Sequence, residues 1–220
     1  MSARVVCISR TVAAGGESVG RSVSDRLGFR FVDEEIISKA AEKAQVDASR
    51  IAEAEHRQSL LDRLFDSMGW GAAMTVGTEY LATEPIAPHF YMQGAPIIPS
   101  IREEYRALIR EVIQEVAQQG NAVIVAHAAS MALAGTPGVL RVLVTASLAT
   151  RAQRLALDGH LLSEDEAAKA VKESDRERQD YLYRFYQVRA ELPTHYDLVV
   201  NTDHLSPERA IDVIVRAAQS

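Results

Sequence analysis

The chain is short of several things, and each shortage closes off a class of protein. It has one cysteine, Cys7, in 220 residues, so an intrachain disulfide and a multi-cysteine zinc site are both excluded. Cys7 lies inside an apolar strand-like run and reads as a buried small apolar residue. No apolar run approaches the length of a bilayer span, and no membrane partner is expected. The opening MSARVVCISR has neither the basic start, the long apolar stretch nor the small-residue cleavage site of a leader, which predicts a cytoplasmic protein. Basic residues are outnumbered: 24 Lys and Arg against 30 Asp and Glu give a net charge of -6, the wrong sign for generic nucleic-acid binding, although a local basic pocket can still hold a phosphate. No internal repeat or low-complexity tract is present. What remains is ordinary globular material, 47% hydrophobic and 25% charged, enough for a single core and best suited to a small partner.

Strand and helix patterns alternate along the chain. Arg4 to Ser9 is a β-branched run closed by the small-residue loop AAGG and then by the helical pattern of Ser18 to Leu27, with Gly28 placed as a C-terminal cap. Phe29 to Val32 gives a second short strand ending at Asp33, and residues 34 to 65 read as helices. Residues 68 to 99 shift to Gly, Ala, Thr and Pro, which fits either a mobile excursion or an ordered arm that packs on a second subunit and makes a homodimer. Regularity returns with a helix over Ile101 to Gln118, then apolar strands at Ala122 to Val125 and Val139 to Val144. Helices over Leu148 to Leu157 and Glu164 to about Tyr186 follow, the second opened by Ser163 with Glu166 three residues on. The strand Leu198 to Val200 and the helix Pro207 to Ala218, capped by Ser206, close the chain.

Five short buried strands alternating with helices imply an α/β fold: a parallel sheet covered on both faces, with ligands beyond the strand C-termini. The rim then comprises Ser9 to Ser18, Asp33, Ala126 to Ala129, Thr145 and Asn201. The loop Thr11-Val-Ala-Ala-Gly-Gly-Glu-Ser18 has the length and position of a phosphate-binding loop. Laid on G-x-x-x-x-G-K-[ST], it has Thr11 for the first glycine, Gly16 for the second, Glu17 for the lysine and Ser18 for the hydroxyl. It reads either as a degenerate Walker A loop, with Gly15 and Gly16 opening backbone N–H groups to a phosphate and Ser18 ligating Mg2+, or as a plain strand-to-helix turn. The run Asp175-Arg-Glu-Arg178, with Tyr181 and Arg184, is either a solvated charged helix face or a set of arginines that close over a transferring phosphoryl group. His127 at the rim is a structural or a catalytic histidine, and Asp33 a helix cap or a substrate contact.

Taken in order, VVCISRTVAAGGESVGRSVSDRLGFRFVDEEII, NAVIVAHAASMALAGTPGVLRVLVTASLATRAQRL, LSEDEAAKAVKESDRERQDYLYRFY and YDLVVNTDHLSPERAIDVI resemble the cytidylate kinase-like family among the P-loop nucleoside monophosphate kinases. The resemblance covers nearly the whole chain except residues 45 to 100. It implies a single three-layer P-loop kinase domain over residues 1–220, with a monophosphate-binding insertion in residues 34–100 and a lid around residues 158–180. ATP and Mg2+ are the implied cofactors, and the implied partners are ATP and a nucleoside monophosphate, CMP or dCMP first. The loop residues Gly15, Gly16 and Ser18 would hold the ATP phosphates and Mg2+. Arg176 and Arg178 would act on the phosphoryl group in flight, and Asp33, His127 and Arg184 would face the acceptor.

The chain also departs from the family's pattern. Where the family has G-S-G-G and a basic residue, this chain has A-A-G-G and Glu17; where it has Gly-Arg after the third strand, this chain has Ala126-His127. Two charge-assisted phosphate contacts are thereby lost, each worth about 1.5 to 3 kcal/mol. Arg10 or Arg21 would supply a guanidinium in compensation, as would protonated His127. Two functions follow: an ATP-dependent nucleoside monophosphate kinase, or a degenerate kinase that serves as a nucleotide-binding or protein-interaction module without turnover. Phosphoryl transfer to an acceptor that is not a nucleotide is a third.

Overall fold

A computed structural model describes residues 2–48, 51, 99–125, 128–159 and 163–220. Among these residues five strands form one wholly parallel sheet: β1 (Val5–Arg10), β2 (Arg30–Val32), β3 (Ala122–Val125), β4 (Val139–Thr145) and β5 (Leu198–Asn201), in the order β2-β3-β1-β4-β5. The helices are α1 (Gly16–Leu27), α2 (Glu35–Ala44), α3 (Pro99–Gln119), the single turn α4 (Ala129–Ala132), α5 (Leu148–Gly159), α6 (Glu164–Tyr186) and α7 (Pro207–Gln219).

Alternate residues of β1 build the two halves of the core. Val5 and Cys7 face one side, where Val32 and Ile124 meet Ile36 of α2 and Ile109 and Ile113 of α3. Val6 and Ile8 face the other, where Val142, Val144 and Val200 meet Val19 and Val23 of α1 and Ile211 and Ile214 of α7. Because both faces are covered, the strands are apolar without alternation, and each buried Val or Ile side chain contributes about 1.5 to 3 kcal/mol. The architecture is the expected three-layer α/β fold.

Local chemistry sets the boundaries. Gly28 takes φ 65° at the end of α1, in the left-handed region that stops a helix. Ser163 accepts from the Glu166 N–H while Glu166 reaches back to the Ser163 N–H, a complete capping box at the start of α6. Gly20 lets α1 lie against the sheet, for a Cβ there would stand 2.7 Å from Val125 Cγ2. The pairing of Arg10 with Val144 extends β1 one residue past Ser9 and puts Arg10 at the C-terminal rim of the central strand. α4, four residues long, is too short to show a helical period in sequence. Among the described residues no helix is long and apolar enough to cross a membrane.

Candidate active site

The loop between β1 and α1 lies at the middle of the C-terminal edge of the sheet. Its first residue still pairs with β4, Thr11 N–H donating to Val144 C=O at 3.2 Å. The chain then turns through Ala13 at φ 57° and Gly15 at φ 80°. Glycine takes this left-handed region at no cost, whereas alanine at position 13 is strained there. Gly15 is the N-cap of α1 and no side chain caps the helix, so its first-turn N–H groups and the positive end of its dipole face outward, as an anion site requires. The Ser18 hydroxyl donates to Gly15 C=O at 3.0 Å.

The loop is braced from outside. Thr202 Oγ1 lies 3.0 Å from Ala14 C=O and 3.3 Å from Thr145 C=O. Arg154 Nη1 donates to Thr202 Oγ1 at 3.0 Å and to Ala13 C=O at 3.4 Å, while Nη2 donates to Thr202 C=O at 2.7 Å. These donors hold the carbonyls of Ala13 and Ala14 in the bent form of the loop. Asp203, next in sequence, accepts from the Ser147 N–H at 2.9 Å, and its hydrogen bonds, that from Thr150 foremost, hold its carboxyl down at about 2.

Arg10 lies across the first turn of α1, since a Cβ on Gly16 would stand 2.5 Å from Arg10 Cβ. Its Nε is buried, with no hydrogen-bond partner among the described residues. Its Nη2 is 3.9 Å from Glu17, and Arg21, stacked on Phe31 with its guanidinium carbon 4.3 Å from the ring centroid, reaches Glu17 from the other side at 3.7 Å. Both guanidiniums named as compensation for the lost loop cation are therefore beside the loop, each turned toward the Glu17 carboxylate.

The α5–α6 hairpin rests on the loop. Ala152 and Leu155 pack against Ala167, Ala170 and Val171, with Val12 and Ala13 of the loop against the same cluster. Arg151, buried, donates its Nη1 and Nη2 to Asp175 at 2.8 and 2.6 Å and its Nε to Ala146 C=O at 3.1 Å, which ties α6 to the end of β4. Within the arginine run the residues separate. Arg176 is exposed, and Arg184 is exposed with its Nε on Asp180 C=O at 3.2 Å; neither forms an ion pair among the described residues. Arg178 turns inward, and its Nε and Nη2 grip Glu191 at 2.8 and 2.6 Å. Burial works against its charge, but the Glu191 carboxylate outweighs this and raises its pKa. Burial likewise pushes the Glu191 carboxyl up, and the hydrogen bonds and charge of Arg178 more than reverse it, holding the group below its usual value.

Asp33 stands between β2 and α2, where its carbonyl accepts from the Ile36 N–H at 3.1 Å; the N-cap position itself is Glu34. His127 and the expected dimer arm at 68–99 lie outside the described residues, apart from Pro99, the first residue of α3. Among the described residues no three His, Cys, Asp or Glu side chains cluster as a metal site. The structure thus brings Arg10, Thr11, Gly15, Gly16, Glu17 and Ser18 into one loop with α6 packed over it. Sequence reasoning missed Arg151, Arg154, Thr202, Glu191 and Tyr196. Arg151 and Arg154 carried a signal, being three apart at the start of a helix that follows a rim strand.

The pattern of the cytidylate kinase-like family matches residues 5–204. The chain belongs to that family. A cytidylate kinase from Sulfolobus acidocaldarius is 30% identical over 105 residues, which are 48% of this chain and 57% of that protein. The chain thus spans little more than half the length of this curated relative. Among solved structures, an uncharacterised protein from Eubacterium ventriosum has a TM-score of 0.65 at 13% identity, covering 97% of each chain, and so shares the fold. A shikimate kinase from Bacteroides thetaiotaomicron, 13% identical over 97% of each chain, has a TM-score of 0.48.

Proposed function

We propose that this chain is an ATP-dependent phosphotransferase of the nucleoside monophosphate kinase type, with CMP or dCMP as acceptor. The observation that carries the reading is the loop itself: an uncapped helix N-terminus at the central strand, held in its bent form by Thr202 and Arg154 and covered by the α5–α6 hairpin. Gly15, Gly16 and the first-turn N–H groups receive the ATP phosphates, with Thr11 at the start of the loop. Arg10 supplies the guanidinium that replaces the missing lysine. Ser18 would offer its hydroxyl to the Mg2+ that accompanies ATP, which would offset the phosphate charge; a metal held mainly by substrate phosphates and water suits a site with no carboxylate cage among the described residues. Asp33, His127 and Arg184 fall to the acceptor, and residues 34–100 and 158–180 to the monophosphate-binding insertion and the lid.

In the transfer, the bond between the γ-phosphorus and the ADP oxygen breaks and one to an acceptor phosphate oxygen forms, with no change of oxidation state. Catalysis is positioning and charge stabilisation, for which Arg176 and Arg178 are the candidate groups. The test is CDP formation from CMP and MgATP by the purified protein, followed by the other nucleoside monophosphates. Steady product supports the reading, and its absence with every acceptor overturns it. One observation favours a second reading, a nucleotide-binding or interaction module without turnover: Glu17 places a carboxylate where the loop needs a cation. Saturable MgATP binding with no product would establish that alternative.

A further inference from the structure

Glu191 is the acceptor at the centre of a buried polar group. It takes Nε and Nη2 of Arg178 on its two oxygens, and the Tyr196 phenol donates to Oε1. The side chains of Arg178 and Glu191 are 22% and 17% exposed, and Tyr196 is buried. Arg178 Nη2 also stands 3.5 Å from the phenol oxygen. One helical turn back along α6, Asp175 holds Arg151, whose Nε donates to Ala146 C=O just past the end of β4 at 3.1 Å. The group therefore stands one turn of α6 from the C-terminal edge of the sheet, the edge that carries the loop.

Two features say what this group is for. A buried ion pair gives little net stability over an apolar pair of the same shape, so fold stability does not account for it. Moreover, the carboxylate grips one edge of the guanidinium only. Nη1 of Arg178 makes no hydrogen bond among the described residues, and it is not one of the enclosed orphan atoms. A planar guanidinium clamped on the Nε–Nη2 edge has its remaining donors fixed in direction, and a fixed donor loses less rotamer freedom when an anion binds it.

We infer that Glu191 and Tyr196 are positioning residues for phosphoryl transfer: they lock Arg178 by one edge on α6, one turn past the Asp175–Arg151 tie to the rim, so that its Nη1 edge meets the moving phosphoryl group. The inference rests on the phosphotransferase reading above. Neither residue touches substrate; both act through Arg178.

Steady-state CDP formation and calorimetric MgATP binding test this with wild type, Glu191→Gln, Tyr196→Phe, Arg178→Ala and the double variant Glu191→Gln/Arg178→Ala. Glu191→Gln keeps the shape and removes the charge. It should lower kcat by about tenfold or more, leaving ATP affinity and KM within about twofold. In the Arg178→Ala background it should cost nothing further, because no guanidinium is left to position. Tyr196→Phe, which keeps the ring and its packing, repeats the comparison with a smaller fall should the glutamine variant not fold. Active wild type with full kcat in both Glu191→Gln and Tyr196→Phe overturns the inference and leaves the kinase reading standing. Losses that multiply in the double variant, or a rise in KM equal to the fall in kcat/KM, show a structural role and also overturn it. A wild type that forms no diphosphate from any nucleoside monophosphate removes the kinase reading, and the inference with it.

Discussion

On the proposed reading nucleotide affinity turns on Glu17, and its effect can be worked from its surroundings. The carboxylate is 42% exposed, 3.9 Å from Arg10 and 3.7 Å from Arg21, on the first turn of the helix that faces the phosphates. Two like charges about 4 Å apart repel by about 1 kcal/mol in water and about 4 kcal/mol at the dielectric of a protein surface. With this exposure the lower end applies. The ion pairs given up are partly exposed and worth under about 1 kcal/mol, and their loss releases two guanidiniums toward the phosphates. Glu17→Gln should therefore tighten MgATP binding by about 1 kcal/mol, roughly fivefold, and Glu17→Lys by about 2 kcal/mol, roughly thirtyfold. Isothermal titration of the three proteins at low and at physiological ionic strength reads this directly, and the gain should shrink as salt screens it. An affinity unchanged within about twofold in Glu17→Gln, or weakened in Glu17→Lys, would mean that phosphates do not enter this loop, because no arrangement with phosphate at that helix turn makes it indifferent to the charge at position 17.

Three further outcomes follow from the same structure. Ala13→Gly should relieve the strain at φ 57°, stabilising the fold by about 0.5 to 1 kcal/mol and raising Tm by about 1 to 4 °C in calorimetry; a lower Tm would show that Ala13 is not strained. Burial pushes the Cys7 thiol up to about 12, so maleimide should leave native protein at pH 8 unlabelled and label one thiol per chain after unfolding in guanidinium, and rapid native labelling would contradict the assignment. Glu191 is held below its usual pKa, against burial, by Arg178, and Asp197 below its own by hydrogen bonds from Arg141. A depressed carboxylate contributes stability that is present above its unfolded value of about 4 and is lost as pH falls through the lower folded value. Urea midpoints should thus fall steeply below about pH 4, less steeply in Glu191→Gln; equal acid slopes in the two proteins would dissociate Glu191 from acid unfolding.

What the sequence made legible is what neighbours in the chain decide. β3 coincides with the apolar run Ala122–Val125 because a four-residue apolar stretch just after a helix-ending glycine has little choice but a buried strand. Gly28, Ser163 and Ser206 mark helix ends through bonds to residues only a few positions away. The loop residues, too, were legible, since the site there is one continuous segment. Illegible were the contacts that depend on where the chain returns. Thr202 braces Ala14 from 188 positions away and Arg154 reaches Thr202 across 48. Arg178 read as part of a solvated helix face or of a set closing over a phosphoryl group, and not as one half of an inward ion pair, because its partner, Glu191, is 13 residues on, past the end of α6. No helical periodicity links residues so spaced once the helix between them has stopped.

Of the departures from the family's pattern, those in the loop fall on the donor side of the proposed reaction and Ala126-His127 on the acceptor side. On the proposed reading Ala13 and Glu17 weaken the grip on the donor phosphates, whereas the Arg151–Asp175 pair, which ties α6 to the end of β4, and the Arg178–Glu191 pair are both formed. An interaction lost equally from ground state and transition state raises KM and leaves kcat alone, and one made only in the transition state does the reverse. The expected enzyme therefore binds MgATP poorly, with an ATP KM at or above the millimolar end of the usual range, and turns over at an ordinary rate once saturated. Glu17→Gln should then lower KM by about fivefold with kcat nearly unchanged. Tight ATP binding coupled to negligible turnover would be the opposite pattern. It would mean that the loop is sound and the arginine group is what fails, so that Arg178, locked by Glu191, is held away from the phosphates and not toward them.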